Sequence, residues 1–434
     1  KGDKDLKAMG VFDKMPKGLE DFESGRGIRP AVEYGASNNH KPRWAGPALG
    51  AHREMAKQGW TPRPREAETL PTTRSPNEQL PLFGVRVLEV TQSTGDISAA
   101  AACCLARDMG ATVTTLEPLG GHTLRRTHPG LFLQFNRGKT SVTAPASFDP
   151  ADNVWGQLLP GMDAVVVSAG AVPKAWVEAV RQRYPKLVVL VITPAGIGTS
   201  AGVSPMSAFW GSTGLSTMFG HLKDSPPGRP PLYHHSMAAS VFAFAGLGTA
   251  LFHQTRTGEG QVVEVSLLRV GAFLGAFPYA TFRHAPKRPG MWCSSEDPTS
   301  WWRTLPPTIN VFRTKDGRWV QFYSLGRVKG GKMMMIALLE GLGIGKGKLG
   351  AVALSNLSAL QGGVPMFVGK FLGQLNDLLA AAMQQVDYPV IAPVLESLGL
   401  HFNEVATVHS AISSPISSTA FGMATEEAGA PRRV

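Results

Sequence analysis

Two adjacent histidines are the side chains best suited by type to proton transfer or metal binding. His234 and His235 follow Pro230-Pro231-Leu232-Tyr233 and precede Ser236. An imidazole titrates near neutral pH and is a common metal ligand, so the pair could act as a base or as ligands. However, residues 226–241 contain no Asp or Glu, and a histidine pair without a third ligand is more typical of a structural position. The sequence therefore predicts no metal site here.

Two glycine-rich stretches resemble fragments of phosphate-binding loops. Gly258 and Gly260 precede an apolar run instead of opening a helix, so they predict a turn. The stretch Gly343-Ile344-Gly345-Lys346-Gly347-Lys348 lacks the full P-loop spacing and a preceding strand, so it predicts a surface loop. Neither stretch predicts a nucleotide site.

The composition favours a two-domain globular protein. The chain has 434 residues, 43% of them hydrophobic, which is enough for two typical domains. No unbroken apolar stretch reaches the roughly 18–20 residues of a membrane-spanning helix, so no transmembrane segment is expected. Cys103, Cys104 and Cys293 cannot make a disulfide framework. The first two lie in an Ala-rich run, which predicts small core residues and a reducing compartment.

The net charge of +11 favours an anionic partner of some kind, such as nucleic acid, a membrane surface or a phosphate-bearing ligand. The Lys and Arg residues are scattered and show no aromatic-interleaved pattern, which does not favour direct nucleic-acid binding. A basic balance is also common in the mitochondrial matrix. The sequence starts at Lys1, as removal of a targeting segment would leave it, although a partial sequence would start so too. We expect a location on the matrix side of mitochondria.

Alternating strands and helices predict a Rossmann-like α/β layer with a parallel sheet. Predicted strands are Val85–Val90, Ala111–Leu116, Asp163–Ser168, Leu187–Thr193 and Val262–Ser266, and predicted helices are Ile97–Met109, Lys174–Tyr184 and Val241–Gln254. Further along, Thr308–Phe312 and Trp319–Tyr323 predict strands around a turn, and residues 332–340 and 367–385 predict helices.

Residues 1–80 predict an extended arm rather than a domain. They are rich in Pro, Gly and charge, and they show no sustained helical or alternating period. Such a segment cannot bury enough surface to fold alone, so we expect it to be held against its own domain or a partner. Trp44 and Trp60 are the expected anchors, because large aromatic side chains supply much of the contact energy of such arms.

Several short motifs resemble the class III CoA-transferases, the CaiB/BaiF family, which includes formyl-CoA transferases and alpha-methylacyl-CoA racemases. Each motif is weak alone, but together they occur in the right order over roughly residues 81–425. They are Pro81–Glu89, Leu105–Ala111, Leu116–Pro118, Phe135–Val142, Thr255–Val263, Asp316–Val320 and Tyr388–Val394.

The resemblance implies a fold and a domain division. A large Rossmann-like α/β domain would comprise residues 81–285 and 386–434, with a smaller α+β domain, 286–385, inserted between them. The arm 1–80 lies outside the match. Members of the family form interlocked dimers, so the resemblance also implies a homodimer.

The family's central catalytic residue is missing from its expected position. These transferases use an Asp carboxylate that attacks the acyl-CoA thioester and forms a mixed anhydride. Counting back without gaps from Gly246-Leu247-Gly248 places that position at His235. The family's racemases also use a His before Ser212-Thr213-Gly214, where this chain has Pro205 and Met206. The resemblance therefore implies loss of both the transferase and the racemase activity. His235 stays open as a substitute for the missing Asp.

The expected CoA contacts are mixed. Asn136 and Lys139 match the family's nucleotide-side motif, in which an amide and a cation meet adenine and phosphate. They could equally persist because they shape a turn. The family's polar E-N-[FY]-x-P-G turn corresponds here to Ser168–Pro173, which has lost its polar groups. CoA is left open as a ligand, and no cofactor is required by the sequence.

Two functions remain open at this stage. The first is a catalytically degenerate family member that serves as an accessory subunit of a large mitochondrial assembly and contacts other subunits through the arm. The second is an active acyl-CoA transferase that uses a non-standard residue such as His235. Acidic groups near His235 would favour the enzyme, whereas a closed pocket and a bound arm would favour the accessory subunit.

Overall fold

The fold was analysed in a computed structural model. The structure describes these residues: 12–14, 26–28, 32–34, 80–91, 96–143, 147–198, 202–218, 228, 233–276, 310–322, 376–377, 379–397 and 401–406. The predicted anchors Trp44 and Trp60, the helix 332–340 and Cys293 lie outside these ranges. The chain divides into two compact units, residues 1–219 with 227–277, and residues 220–226 with 278–434.

A seven-stranded sheet forms the centre of the first unit. Its order is β3-β9-β8-β7-β4-β5-β6. The six strands from β4 to β9 run parallel, which confirms the predicted Rossmann-like layer, and β3 is antiparallel to β9. The strands are β3 Val32–Tyr34, β4 Arg86–Thr91, β5 Thr112–Glu117, β6 Thr140–Thr143, β7 Ala164–Ser168, β8 Val188–Thr193 and β9 Val262–Ser266; a separate pair comprises β1 Phe12–Lys14 and β2 Arg26–Ile28.

Helices cover both faces of this sheet. They are α1 Ser98–Asp108, α2 Leu124–Thr127, α3 Pro129–Asn136, α4 Asn153–Leu158, α5 Lys174–Arg183, α6 His234–Thr257 and α7 Leu267–Leu274, with a π-helical turn at Ser207–Gly211 and a 3-10 turn at Leu215–Met218. The central strands β7 and β8 are buried along their whole length, as continuous Val-rich runs between two helical layers require.

The two faces of the sheet carry different cores. On one face the small side chains of α1, Cys103 among them, pack with those of α6, so that the two helices approach closely. On the other face Trp155 of α4 and Trp176 of α5 meet edge to face at 5.1 Å between ring centroids. Cys103 and Cys104 are buried and free, which confirms their predicted place in the core.

Helix α6 is longer than the sequence predicted. It begins at His234 rather than Val241, so the two histidines lie in its first turn. It ends at Gly258, whose φ of +75° is the left-handed conformation of a helix C-cap. At Gly260 an added Cβ would lie 2.1 Å from the Leu187 carbonyl oxygen, so only glycine fits. The predicted Gly258–Gly260 turn is confirmed.

By length and composition alone, α6 could cross a membrane. Its most apolar 18-residue window has a mean hydropathy of 1.4, and half of that window is buried in the fold. Helix α6 packs against α1, β8, β9 and α7. This burial is the pattern of a core helix, and an apolar core helix passes the same test of composition as a spanning helix.

One strand of the arm joins the first unit. Val32, Glu33 and Tyr34 pair with Val265, Glu264 and Val263 of β9, so β3 covers that edge of the sheet. The expectation that the arm is held against its own domain or a partner is therefore met within the chain for these three residues.

The second unit contains a small antiparallel sheet. Its strands are β10 Val311–Arg313, β11 Trp319–Phe322 and β12 Phe402–Glu404, in that order, and α8 spans Tyr388–Ser397. Because β12 pairs with β11, residues 402–404 belong to this unit. The division expected from the resemblance, which places 386–434 with the large domain, stays a prediction.

Candidate functional site

The sheet has a switch point between β4 and β7. From β4 the chain moves outward to β5 and β6, and it then returns to β7 on the other side of β4. In sheets of this kind the crevice at the carboxyl ends of the strands, beside the switch point, is the usual place for a ligand. Asp96 after β4, Ser168 at the end of β7 and Ser236 at the start of α6 meet at this place.

The Asp96 carboxylate is the centre of this meeting. It is only 2% exposed, and both its oxygens accept hydrogen bonds. Oδ1 accepts from the Ser236 hydroxyl at 2.7 Å, the Ser98 amide at 3.0 Å and the Ser98 hydroxyl, while Oδ2 accepts from the Ser168 hydroxyl. A buried carboxylate is tolerated only with such partners. We call Asp96, Ser98, Ser168 and Ser236 the Asp96 cluster.

His235 lies next to this cluster and is fully buried. Its ring centroid is 6.2 Å from that of Tyr233, in a stacked arrangement, and 6.3 Å from that of Phe209. An imidazole with no exposed surface cannot touch a bound molecule unless the protein rearranges. His234 is exposed. Within the described ranges no three His, Cys, Asp or Glu side chains are placed to hold a metal ion.

The Lys139 ammonium is bound by groups inside the protein. Its ammonium donates to Glu89 Oε2 at 2.6 Å and to the Ala100 carbonyl oxygen at 2.8 Å, and it lies 3.5 Å from Asn136 Oδ1. The side chains of the Lys139–Glu89 pair are 0% and 1% exposed. The Asn136 amide donates to the Phe132 carbonyl oxygen at 2.9 Å. A cation in this setting has no surface with which to meet a phosphate.

A small cleft lies beside this ion pair. Its polar lining comes from Glu89, Thr115, His122 and Asn136, and the rest is aliphatic or aromatic. The interior has room for about one water molecule. Nothing near the size of a nucleotide fits without movement of the surrounding helices.

Glu117, at the end of β5, is a second buried carboxylate that has partners. Arg125 binds both its oxygens, at 2.6 and 2.7 Å, and Ser141 and the His122 amide also donate to it. The hydrogen bond from Arg125, followed by those from Ser141 and His122, lowers the pKa of Glu117 to about 2. Burial lowers the pKa of the His122 imidazole below 6.5. The carboxylate therefore stays ionised and occupied.

Comparison with known proteins settles the family. The model of CoA-transferase family III matches residues 82–420 of this chain. The chain belongs to CoA-transferase family III.

Curated family members resemble the chain over part of its length. The succinyl-CoA–L-malate CoA-transferase alpha subunit of Chloroflexus aurantiacus is 27% identical over 59% of this chain and 61% of that subunit. The succinate–glutarate CoA-transferase of Agrobacterium fabrum is 26% identical over 46% of this chain and 54% of that enzyme. The chain thus matches less than two thirds of the length of these relatives.

Solved structures show the same fold. A hypothetical protein of Mycobacterium tuberculosis matches with a TM-score of 0.58 at 20% identity, over 79% of this chain and 88% of that one. A CAIB/BAIF family protein of Brucella suis matches with a TM-score of 0.56 at 19% identity, over 78% and 87%. These likenesses confirm the family III fold predicted from the sequence motifs.

The family's catalytic positions can now be located in the fold. His235, expected at the nucleophile position, is in the first turn of α6 and faces the core. Pro205 and Met206, expected at the racemase base positions, are half-buried just before the π-helical turn, and neither side chain can be ionised. The structure therefore brings no carboxylate to the nucleophile position from α6 itself.

The turn that follows β7 is filled by apolar packing. Ala169 and Val172 are buried, and Pro173 precedes α5. Ser168 is polar, but its hydroxyl is used by the Asp96 carboxylate. This agrees with the expectation that the turn has lost the family's polar groups. Asn136 and Lys139 as CoA contacts stay a prediction, in spite of the internal partners that the structure gives them.

Sequence reasoning missed Asp96, Glu89 and Glu117. A signal existed for Asp96, because Asp-x-Ser ahead of an Ala-rich helix is typical of a helix start. A signal existed for Glu89 too, because a carboxylate inside the apolar run Val85–Val90 must find a buried cation. Lys139, the partner of Glu89, is 50 residues away in sequence, and Ser236, one partner of Asp96, is 140 residues away, so the local pattern does not indicate which residue each would meet.

Proposed function

We propose that this family III protein no longer transfers CoA and serves as a non-catalytic subunit of a larger assembly. The full burial of His235, between Phe209 and Tyr233, carries this proposal. The family's mechanism needs an accessible carboxylate at this position. Residues 226–241 contain none, and the side chain that replaces it is sealed inside the core.

The nucleotide side of the site supports the same proposal. The residues present do not fit CoA: Lys139 is neutralised by Glu89, and the adjacent cleft has room for about one water. Breaking the buried Lys139–Glu89 ion pair to free the ammonium for a phosphate would cost free energy, because the Glu89 carboxylate would be left as an unpaired charge in the interior.

The proposed location and partners rest on the sequence. The charge of +11 fits a protein of the mitochondrial matrix. An arm of about 80 residues that cannot fold alone fits contact with other subunits, since an extended segment covers a large area with few residues. Strand β3 is an example of how such a segment docks by adding to a sheet edge. A homodimer is part of the same proposal.

The test combines activity, CoA binding and size. The recombinant full chain is assayed with succinyl-CoA and a panel of dicarboxylate acceptors, with a working family III transferase as positive control, and CoA binding is measured by calorimetry. We expect no transfer, no heat of binding and, in gentle mitochondrial extracts, migration as part of a large assembly. Transfer activity that disappears in His235→Ala would refute the proposal.

A second function is favoured by one observation. The Asp96 cluster brings a carboxylate to the switch point beside His235, as an enzyme with relocated catalytic residues would need. In that case the chain is an active acyl-CoA transferase in which His235 or Asp96 replaces the missing Asp. Asp96→Asn and His235→Gln would then each abolish transfer while leaving the fold intact by circular dichroism. Absence of activity in the unaltered chain would reject this alternative.

A further inference from the structure

The end of the sheet opposite the Asp96 cluster, where the parallel strands begin, carries a group of cations. The amino ends of β4, β7, β8 and β9 lie together at this end of the sheet, because these neighbouring strands are parallel. The helices that lead into β8 and β9 end there as well. Five cationic side chains come from these chain segments, and we call them the amino-end patch: Arg86, Arg181, Arg183, Lys186 and Arg256.

Hydrogen bonds hold the segments of the patch together. The Gln254 side-chain amide donates to the Lys186 carbonyl oxygen at 2.6 Å and to the Asp163 carbonyl oxygen at 3.4 Å. The Arg86 backbone N–H donates to the Asp163 carboxylate at 2.8 Å. Arg181 donates to the carbonyl oxygens on either side of Lys186, at 2.7 and 3.0 Å. The end of α6 is thus fixed beside the starts of β4 and β8.

The patch differs from the other cations of the first unit. Among the residues that the structure describes there, the cations that form ion pairs are Arg107, Arg125, Arg137, Lys139, Lys174 and Arg269. Among the described helices and the strands β4 to β9, no ion pair joins a patch residue to a carboxylate, and the same holds for Arg126 on α2. Four patch residues are exposed, and Arg181 is half-buried.

The negative charges near the patch are fewer. Asp163 is half-buried and accepts the Arg86 N–H, and Glu259 is exposed close to Arg181. The carboxyl ends of α5 and α6 add partial negative charge, which favours cations there in any protein. The five cations outnumber the two carboxylates by three, which is more positive charge than the partial negative charges of the two helix ends would neutralise. The patch therefore has a positive field that is available to an outside partner.

Two planar groups accompany the cations. The Arg256 guanidinium lies 5.6 Å from the ring centroid of Phe252, which is 62% exposed, and the Arg183 guanidinium lies 5.5 Å from that of Tyr184. Unstacked bases pack on aromatic rings and guanidinium planes while cations meet the phosphates. A lipid surface or an acidic protein could use the cations, but neither needs these ring–guanidinium pairs.

We propose that the amino-end patch binds single-stranded nucleic acid. Phosphates would meet Arg86, Arg183, Lys186 and Arg256, and bases would stack on Phe252 and Tyr184. The five cations are up to 170 residues apart in the sequence, so they form a cluster only in the folded chain and leave no basic run in the sequence. The proposal concerns the face opposite the Asp96 cluster, so it holds whether or not the chain transfers CoA.

The first test measures affinity and its salt dependence. A fluorescent 12-nucleotide oligo(U) RNA, and the DNA of the same length, are titrated with the recombinant full chain and followed by anisotropy. Four phosphate contacts predict a slope of about −3 for log K against log salt. Arg183→Gln/Arg256→Gln is expected to bind at least about tenfold more weakly at 100 mM salt, with the slope reduced by about 1.4.

A control variant has the same net charge as the patch variant. Arg126→Gln/Lys174→Gln removes two exposed cations from α2 and from the start of α5, at the other end of the sheet. We expect its affinity to stay within about twofold of that of the unaltered chain. Equal losses in the two double variants would overturn the proposal, since binding would then follow net charge alone.

The second test separates stacking from charge. Phe252→Ala changes no charge at an exposed position, and we expect about five- to tenfold weaker binding with an unchanged salt slope. An unchanged affinity, or equally tight binding of a duplex, would remove the role of the rings and overturn the single-strand assignment. Binding to phosphatidylserine vesicles without binding to the oligonucleotides would identify a membrane surface instead and also overturn it. Unfolding midpoints confirm that each variant is folded.

Discussion

The two ends of the central sheet use their charged residues in opposite ways. At the carboxyl end every carboxylate described above is bound by groups of the same chain: Glu89 by Lys139, Glu117 by Arg125, and Asp96 by three serines. At the amino end four of the five patch cations are exposed to solvent. A charged group that is bound inside the protein stabilises the fold but cannot bind a ligand. An exposed charged group contributes little to stability but can bind one. The carboxylates at the carboxyl end are therefore occupied by partners of the same chain, whereas most of the cations at the amino end stay available to an outside partner.

The largest effect should come from breaking the buried pair. Glu89→Ala leaves the Lys139 ammonium without its carboxylate in the interior, and we expect a loss of about 3–5 kcal/mol in the free energy of unfolding, measured with urea. Lys174→Ala, which breaks the exposed pair with Glu178, should cost less than about 1 kcal/mol. A loss below about 1 kcal/mol in Glu89→Ala would show that the pair is not buried as described.

A smaller loss is expected in the Asp96 cluster. Asp96→Asn keeps the size of the side chain but weakens the bonds from Ser98, Ser168 and Ser236 by removing the charge, which should cost about 1.5–3 kcal/mol. Glu178→Gln, at an exposed carboxylate, is the matched control and should change stability by less than about 0.5 kcal/mol. If the two variants were equally stable, the carboxylate would not hold the strand ends together.

Glu117 should make stability depend on pH in the acid range. Its pKa in the folded chain, about 2, lies below that of a free Glu. A lowered pKa gives stability that is complete above about pH 5 and is lost as the pH falls through 4 towards 2. We expect a contribution of about 2 kcal/mol, less than the full shift implies, because Arg125 is half exposed and solvent screens the pair. Glu117→Gln should flatten this part of the stability–pH curve, and an unchanged curve would assign the acid transition to other groups.

The smallest effect belongs to the amino-end patch. Arg183→Gln and Arg256→Gln remove exposed cations without ion pairs among the described residues, so each should change the free energy of unfolding by less than about 0.5 kcal/mol. The same urea titration measures this. A loss above 1 kcal/mol would mean that the patch is structural, and the contrast between the two ends of the sheet would fail.

The regular elements of the large sheet could be predicted because their signals are local. Runs such as Leu187–Thr193 and Asp163–Ser168 are continuous and apolar, and the five predicted strands of this sheet were each found within one residue, whereas β3 and β6 were missed. The short helices α2 and α3 were missed, since the stretch from His122 to Asn136 has no sustained period. The start of α6 was missed by seven residues because His234–Ser240 consists mainly of polar and small residues, and the contacts of this segment with α1 and with Asp96 are distant in sequence.

The site could be predicted only as a set of residue types. The position of His235 followed from the family motif, but its burial depends on Phe209, which is distant in sequence, as well as on its near neighbour Tyr233. The partner of Lys139 is 50 residues away, and that of Asp96 is 140 residues away. Such pairings are properties of the folded topology, and a single sequence contains no local trace of them.

Strand β3 also determines an order of events during synthesis. It is made before the other six strands of the large sheet, yet its partner β9 follows some 230 residues later. At a translation rate of about 5–20 residues per second, the segment waits roughly 10–50 s before its partner strand exists. The first-made strand of this sheet is thus the last that can join it, and until then its backbone N–H and C=O groups bond to water or to another partner.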